Sequence, residues 1–553
     1  MRGIIDSAPS QLRIRLRSRV AARFALALAA VLVVCGLVAL GPFGSGSATS
    51  TATSGRTGSA SSTTQPYATP SASPFVSQSA TPALIPMVPV VAFWSTERSI
   101  GRTELVSLLA AGAGNGSMAA FGSVAVDSAD LPGLASTLGV TPAASVEALT
   151  ADGVKAAVRA TGNALGVIPA SDMTPDVRAL AVDGVALFGA NRIRDLARWP
   201  LLVRGQAAAA FSTAAVWTLA AGGDVMLDRA AYDESIVHRK GVDYPWDGGN
   251  AIVDGTTCCG MDGARLALGR QTGSPGAFRA LLQQADLAVV NLESPAPNAY
   301  SYHPDGLVFT MDPALLAGLR NAGIDAVSLA NNHMGNAGAQ GVLDTMHNLD
   351  SAGIDHAGAG TDAIAARKPA WLAAGGLRIA FLAYDAIRPD YWAAAGRPGT
   401  AGLRLSDVTA DVRAARSAGA DLVIVMPHWG TEYSDETTSD QRGEAAAIVA
   451  AGADLILGSH SHWVGPVESI SRSQGPAFVV YSLGDLVFQL RHDVRTQEGV
   501  VADLTFVGTR LAQVDLRPTL ILNGCQPNLL DPGGDGARLL DAVRRASGGL
   551  LDW

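Results

Sequence analysis

From about residue 214 onward, apolar residues come in short unbroken runs, each closing on a polar residue. AAVWTLAAGGD ends at Asp224, ADLAVVNLE at Glu293, IDAVSLANNH at His333 and LRIAFLAYD at Asp385. ADLVIVMPHWG carries His428, ADLILGSHSH carries His460 and His462, and AFVVYSLGD ends at Asp485. Such runs predict strands buried on both faces. Between them the spacing predicts helices over Pro313 to Ala322, Ala339 to Ala352, Ser406 to Ala418 and Asp440 to Ala451. These helices close on Ala-Gly, at Gly323, Gly353, Gly419 and Gly452, where glycine takes the left-handed conformation that stops a helix. The pattern is that of βα units in a mostly parallel α/β sheet.

The amino end has a different pattern. Residues 1–23 hold six arginines and one acid, Asp6, and read as a basic cytoplasmic tail. Phe24 to Gly41 carries no charge, and about 18 helical residues span about 27 Å, close to a bilayer core. This run predicts a single-pass signal anchor with the rest of the chain outside the cytoplasm; the alternative is secretion after signal cleavage. Residues 42–85 are rich in Ser, Thr, Ala, Gly and Pro and predict an extended linker.

Residues 86–210 read as a smaller α/β accessory domain, with strands over Val90 to Trp94 and Ala179 to Gly189 and helix starts at Thr103 and Thr141. Gly162 to Gly184 faintly resembles a piece of a periplasmic solute-binding domain of the phosphate-binding type. Composition narrows the picture further. With 40 Lys+Arg against 49 Asp+Glu, the chain is not a globally basic nucleic-acid binder. Four cysteines exclude a disulfide scaffold. Adjacent cysteines rarely bond each other, which leaves a bridge from Cys258 or Cys259 to Cys525 open.

The polar residues that close the strands form the candidate site, because open α/β sheets bind ligands past their strand carboxyl ends. Asp, Glu, Asn and His are ligands suited to Mn, Fe or Zn, without the thiolates of a structural zinc site. A lone histidine is more often a core residue, but the His460-x-His462 pair leaving a strand points to a metal.

These stretches resemble the CapA family, the capsule or poly-γ-glutamate biosynthesis proteins, distant relatives of the calcineurin-like metallophosphoesterases. The motifs are GGDVMLDR (Gly222 to Arg229), DYPWD (Asp243 to Asp247), NLESP (Asn291 to Pro295), SLANNHMGNAG (Ser328 to Gly338), GIDHAGAG (Gly353 to Gly360), PHWGTEY (Pro427 to Tyr433), GSHSHW (Gly458 to Trp463) and YSLGDLVF (Tyr481 to Phe488). The resemblance implies an α/β/β/α sandwich over residues 211–553 with a site for two divalent metals between its sheets. It implies Asp224 and His462 as ligands of a first metal, Glu293 as the bridging carboxylate, and Asn332, His428 and His460 as ligands of the second. His333 would stand beside the substrate as acid or charge stabiliser. Arg229 reads as an anion contact or an ion-pair partner, Asn331 as a loop brace, and Glu432 as a support for His428 or a solvent-facing acid.

Departures from the family pattern are Met226 in place of the His of D-x-H found in phosphoesterases, Asn336 in place of Asp, G-S-H-S-H in place of G-x-H-P-H, and Asp485 in place of Asn. Two functions are expected of such a chain. One is a metal-dependent hydrolase acting on an anionic envelope polymer or phosphoester. The other is a non-catalytic assembly, export or polymer-binding factor that works with capsule synthesis partners.

Overall fold

The computed structural model describes residues 83–112, 121–205, 211–260 and 263–551. The basic tail, the apolar run 24–41 and the linker up to residue 82 lie outside the described residues. Among the described residues no helix is long and apolar enough to cross a membrane.

The apolar runs become strands: β1 (Val216–Val225), β4 (Leu287–Leu292), β5 (Ala326–Ser328), β7 (Leu377–Asp385), β8 (Leu422–His428), β9 (Leu455–Leu457), β10 (Ala477–Val480) and β11 (Asp485–Val487). They divide between two sheets. In the first, β4, β5 and β6 (Asp355–Ala357) follow β1 in parallel, and β11 also pairs with β1 in parallel. The other side of β1 is antiparallel to β12 (Glu498–Val507). That side continues through β13 (Arg510–Leu522) and β14 (Gln526–Leu530) to the hairpin of β2 (Asn250–Cys258) and β3 (Arg265–Thr272). In the second sheet β7, β8, β9 and β10 run parallel between two antiparallel edge strands, Ala370–Ala374 and Val467–Ile470.

Alternation along each strand sends residues to two different cores. Trp217, Leu219 and Ala221 of β1 meet Ile379 and Phe381 of β7 and Leu422 and Ile424 of β8 in one core between the sheets. Ala220 of β1 and Val290 of β4 face the other way, toward Phe278 and Leu281 of α1 (Ala277–Gln284) and Val342 and Leu349 of α3 (Gly338–Ala352). Ala380 of β7 and Val423 of β8 face Val408 and Val412 of α4 (Leu405–Ser417) and Ile448 of α5 (Ser439–Ala451). The layers are therefore helix, sheet, sheet, helix.

The helices lie within a residue of their expected places, with α2 (Leu316–Ala322) preceded by a 3-10 turn at Pro313–Leu315. Gly323 and Gly353 end α2 and α3 in the left-handed conformation. Helix α5 opens on a reciprocal cap: Thr438 Oγ1 accepts from Gln441 N at 3.1 Å, and Gln441 Oε1 accepts from Thr438 N at 3.0 Å. Thr438→Ala is expected to lower stability by about 1 kcal/mol, read as an earlier urea midpoint with an unchanged slope; an unchanged midpoint would remove the cap from the account.

The accessory region forms a separate six-stranded sheet with its own core. Its first strand starts at Ala83, inside the stretch read as linker. Two readings are corrected. Ala179 to Gly189 is not one strand but two short ones, Val177–Ala179 and Ala181–Val182, because Asp183 and Gly184 both take positive φ and turn the chain back. The helix expected at Thr141 begins at Ala151 instead, where the Thr150 side chain accepts from Gly153 N.

This sheet docks on β12 and β13. Asp503 accepts from Ala190 N at 3.0 Å, Thr505 Oγ1 from Gly189 N at 2.8 Å, and Gln513 Oε1 from Ala179 N at 2.8 Å. Buried Asp515 lies 3.0 Å from Arg98, 3.3 Å from Arg517 and 3.8 Å from Arg178.

The cysteines also depart from expectation. Cys258 and Cys259 lie side by side at the end of β2, and Cys525 is free and buried. Cys258 is exposed at the end of β2, whereas Cys525 is enclosed in the core behind β1, so a bridge between them has no path.

Candidate metal centre

Strand β1 lies between β4 and β11, and this order builds the centre. Across the first pair Asn291 stands opposite Asp224; across the second, Asp485 does. Asp224 is therefore flanked by Glu293, the residue after β4, and by Asp485. Gly223 allows this approach, since any side chain there would run into the Gly484 carbonyl. From the second sheet come His428, ending β8, and His460 and His462, in the turn after β9. Both turn histidines hold positive φ, 97° and 59°, a strained conformation for a non-glycine residue that is met mostly at functional sites. The amide of His460 donates to Asp224 Oδ2 at 3.1 Å.

Two clusters share one carboxylate. Asp224, Glu293 and His428 offer ligand atoms within 4.8 Å of one another, and so do Asp224, His462 and Asp485. The carboxylate common to both clusters is Asp224, because β1 is the middle strand of the three. Asp485 is itself one of the converging groups; its Oδ1 lies 2.8 Å from His462 Nδ1.

Around His428 Nε2 stand Asn332 Oδ1 at 2.8 Å, His460 Nδ1 at 3.1 Å and Glu293 Oε1 at 3.7 Å. Atoms bound about 2.1 Å from one ion lie about 3 Å apart, a spacing that these hydrogen-bonded groups share. The other ring nitrogen, Nδ1, is occupied by Ser459 Oγ at 3.0 Å and Asn291 Nδ2 at 3.2 Å. Neither nitrogen is left for Glu432, which is exposed to solvent and does not orient His428.

The donor set fits divalent cations. Asp224, Glu293, His428 and Asp485 are wholly buried, and Glu293 Oε2 and Asp485 Oδ2 have no hydrogen-bond partner. Buried oxygens of this kind are costly unless a cation satisfies them. Burial raises the Asp224 carboxyl, and burial reinforced by Asp224 raises Glu293 well above the carboxylate range. Burial brings Asp485 up to about 7, against the pull of His462. Burial would lower His462, but Asp485, Glu293 and Asp224 outweigh it and hold the ring at about 10. Burial lowers His428 well below the usual value and His460 to about 3, which leaves both as neutral donors.

Asn336 Oδ1 accepts from Phe309 N at 2.8 Å and lies 3.0 Å from His333 Nδ1, so Nδ1 carries the proton. Nε2 then faces Asn332 Nδ2 at 3.3 Å as an acceptor. Burial lowers the ring to about 4, and Phe309 stacks on it with centroids 3.9 Å apart. In this arrangement the His333 ring is neutral and its Nε2 faces the Asn332 amide.

Asn331 braces the loop: its Oδ1 accepts from His333 N at 3.1 Å and Met334 N at 3.0 Å, and its Nδ2 donates to the Leu292 carbonyl at 2.8 Å. The Arg229 guanidinium lies 4.8 Å over the Phe309 ring and donates to the Gly306 carbonyl, while its buried Nε has no partner. It forms no ion pair among the described residues.

Sequence reading missed Asn291, which donates to Asp224 Oδ1 at 2.8 Å and reaches Glu293 Oε1 at 3.5 Å. Its signal was present: two residues before Glu293 on a strand, it shares the same face. Asp228 was missed too. Wholly buried, it accepts from Thr310 N at 3.1 Å and Tyr300 OH at 3.3 Å, and so ties down the loop that carries Phe309.

Layers, strand ends and donor set together define a two-sheet α/β sandwich with a buried cluster of carboxylates and imidazoles that could hold metal ions. Residues 218–490 match the family model for the bacterial capsule synthesis protein PGA_cap. Over that stretch the chain belongs to this capsule-synthesis family, that of CapA.

The capsule biosynthesis protein CapA of Bacillus anthracis is 30% identical over 210 residues, which are 37% of this chain and 50% of that protein. A probable polyglutamine synthesis accessory protein of Mycobacterium tuberculosis is 34% identical over 224 residues, covering 36% and 55%. The chain thus spans about half the length of the curated relatives it matches. Among solved structures, the calcineurin-like phosphoesterase YfkN from Bacillus subtilis aligns at 13% identity and a TM-score of 0.29, over 60% of this chain and 99% of that one.

Proposed function

We propose that the chain is a hydrolase dependent on two divalent cations, acting on an anionic polymer or phosphoester of the cell envelope in capsule or poly-glutamate metabolism. The observation that carries this is the pair of ligand clusters sharing Asp224, with buried, unpartnered oxygens on Glu293 and Asp485. Glu293, Asn332, His428 and His460 would hold one cation, His462 and Asp485 the other, and Asp224 both. Cations there supply charge stabilisation for an oxyanion and a lowered pKa for water.

The protein's own residues do the rest. Asn291 fixes the Asp224 carboxylate, and Ser459 fixes the His428 ring so that Nε2 faces inward. Asn336 and Phe309 hold His333, which in turn holds the amide of Asn332. Arg229, with its free Nε, is placed for an anionic group of the substrate. The basic segment 1–23 and the apolar run 24–41 support a membrane anchor that leaves this centre outside the cytoplasm.

The test is metal content and hydrolysis in the full-length chain. Loaded with Mn, it is expected to retain about two ions after dialysis. His460→Ala is expected to lower cleavage of a chromogenic phosphodiester by more than the roughly 10–100-fold lost with an outer partner. Two retained ions with no hydrolysis of any phosphoester or γ-glutamyl peptide would favour the polymer-binding reading. No retained metal would overturn both the cofactor and the reaction.

A further inference from the structure

Phe488 stands between the metal centre and a second feature. Its ring edge packs on His462, centroids 4.8 Å apart, and lies 5.8 Å from Phe309. Its other side lines a cavity of about 620 Å³ between the β2–β3 hairpin and the chain around 488–491 and 521–524. That volume is within the range of ligand sites, about 300–1,000 Å³.

The lining is chemically one-sided. None of its residues is Asp or Glu, although acids outnumber bases in the chain, 49 to 40. It includes two arginines, Arg270 and Arg491. Arg491 is exposed and forms no ion pair among the described residues, while Arg270 pairs at 3.2 Å with Asp254, where solvent screens the interaction. Gln271 adds a buried Nε2 with no hydrogen-bond partner. Gln489 spends its oxygen on Ala230 N at 2.9 Å, which leaves its amide hydrogens as donors. Leu268 lies among these groups, half exposed at 53%. Guanidinium and amide donors set among apolar surface suit carboxylates separated by methylene groups, whereas a continuous run of phosphates would leave the apolar surface unused.

We infer that this groove binds the carboxylate-bearing chain that flanks the bond presented to the metal centre. Arg491 and Arg270 take its charged groups, and Phe488 marks the step from groove to centre. The inference rests on the proposed hydrolase for its direction, but the binding it describes is measured separately.

The experiment uses the full-length, Mn-loaded chain and the anisotropy of a labelled γ-linked glutamyl decamer, with a glutamyl dimer and a linear polyphosphate as comparisons. Metal content is measured on the same samples. The decamer is expected to bind more tightly than the dimer, and more weakly as salt rises. The double variant R270A/R491A is expected to bind the decamer about tenfold more weakly, the equivalent of about 1.4 kcal/mol. R270K/R491K, which keeps the charges, is expected to recover part of that loss.

Equal decamer affinity in wild type and the double alanine variant, at equal metal content, would overturn the groove. Tight polyphosphate binding without decamer binding would overturn the carboxylate assignment. Arginine-dependent decamer binding in protein that holds no metal would uphold the groove while removing the proposed hydrolase.

Discussion

Replacing Asp224 with alanine is expected to take bound Mn from about two ions per chain to nearly none. Glu293→Gln and Asp485→Asn are each expected to remove about one. The difference follows from the strand order: Asp224 belongs to both ligand clusters, the other two carboxylates to one each. Metal analysis after dialysis reads the stoichiometry directly, and an Asp224 variant that holds as much metal as the Asp485 variant would end the shared-ligand reading.

The same variants separate function from stability. Without metal, Asp224, Glu293 and Asp485 are buried carboxylates crowded together; burial raises the first two, and Asp224 raises Glu293 further. In chelator, Asp224→Ala is therefore expected to melt no lower than the wild type, because one of the crowded acids is gone. In Mn the order reverses, since a ligand present at about 100 times its Kd stabilises by about 2.7 kcal/mol per site. Metal affinity is also expected to rise with pH. Asp485 near 7 and His462 near 10 both carry protons that must leave before they ligate. A pH-independent affinity would place the metal elsewhere.

The second large effect lies far from the centre. Asp515→Ala is expected to destabilise the chain by about 3 kcal/mol, the low end for a broken buried pair. Three guanidiniums, Arg98, Arg178 and Arg517, converge on this carboxylate where the accessory sheet meets β13. Arg178 is only 2% exposed and cannot turn to solvent, whereas Arg98 and Arg517 are partly exposed, which argues for the lower figure. Burial alone would raise the Asp515 carboxyl, but the three arginines hold it below its usual range. Its contribution is therefore full above the unfolded value of about 3.9 and is lost as pH falls through the lower folded value. Urea unfolding of wild type, Asp515→Ala and Asp515→Asn at neutral pH checks the magnitude, and loss of less than about 1 kcal/mol in both variants would show that the cluster does not hold the two modules together.

Local chemistry was enough to mark the places where function collects. Unbroken apolar runs ending in Asp224, Glu293, His428 and Asp485 identified the strands and their carboxyl ends, because a strand buried on both faces admits polar groups only where it stops. The helices between them, and the glycines that close them, followed from spacing and backbone freedom. What no local pattern contained was partnership. Whether a parallel strand joins one sheet or the other is set by pairing between residues far apart in the chain. That pairing put β1 between β4 and β11, made Asp224 the shared carboxylate, and drew Asp485 into the centre.

Burial decided the rest. Phe309 and Asn336 enclose His333, and burial lowers its ring to about 4. The docking of the accessory sheet depends on buried charges whose partners, Arg178 and Asp515, lie on different modules. The sequence alone determined which residues would be polar at the ends of strands. Only the tertiary structure determined which of those ends would meet, because distance and desolvation belong to the assembled sheets and not to the order of residues along the chain.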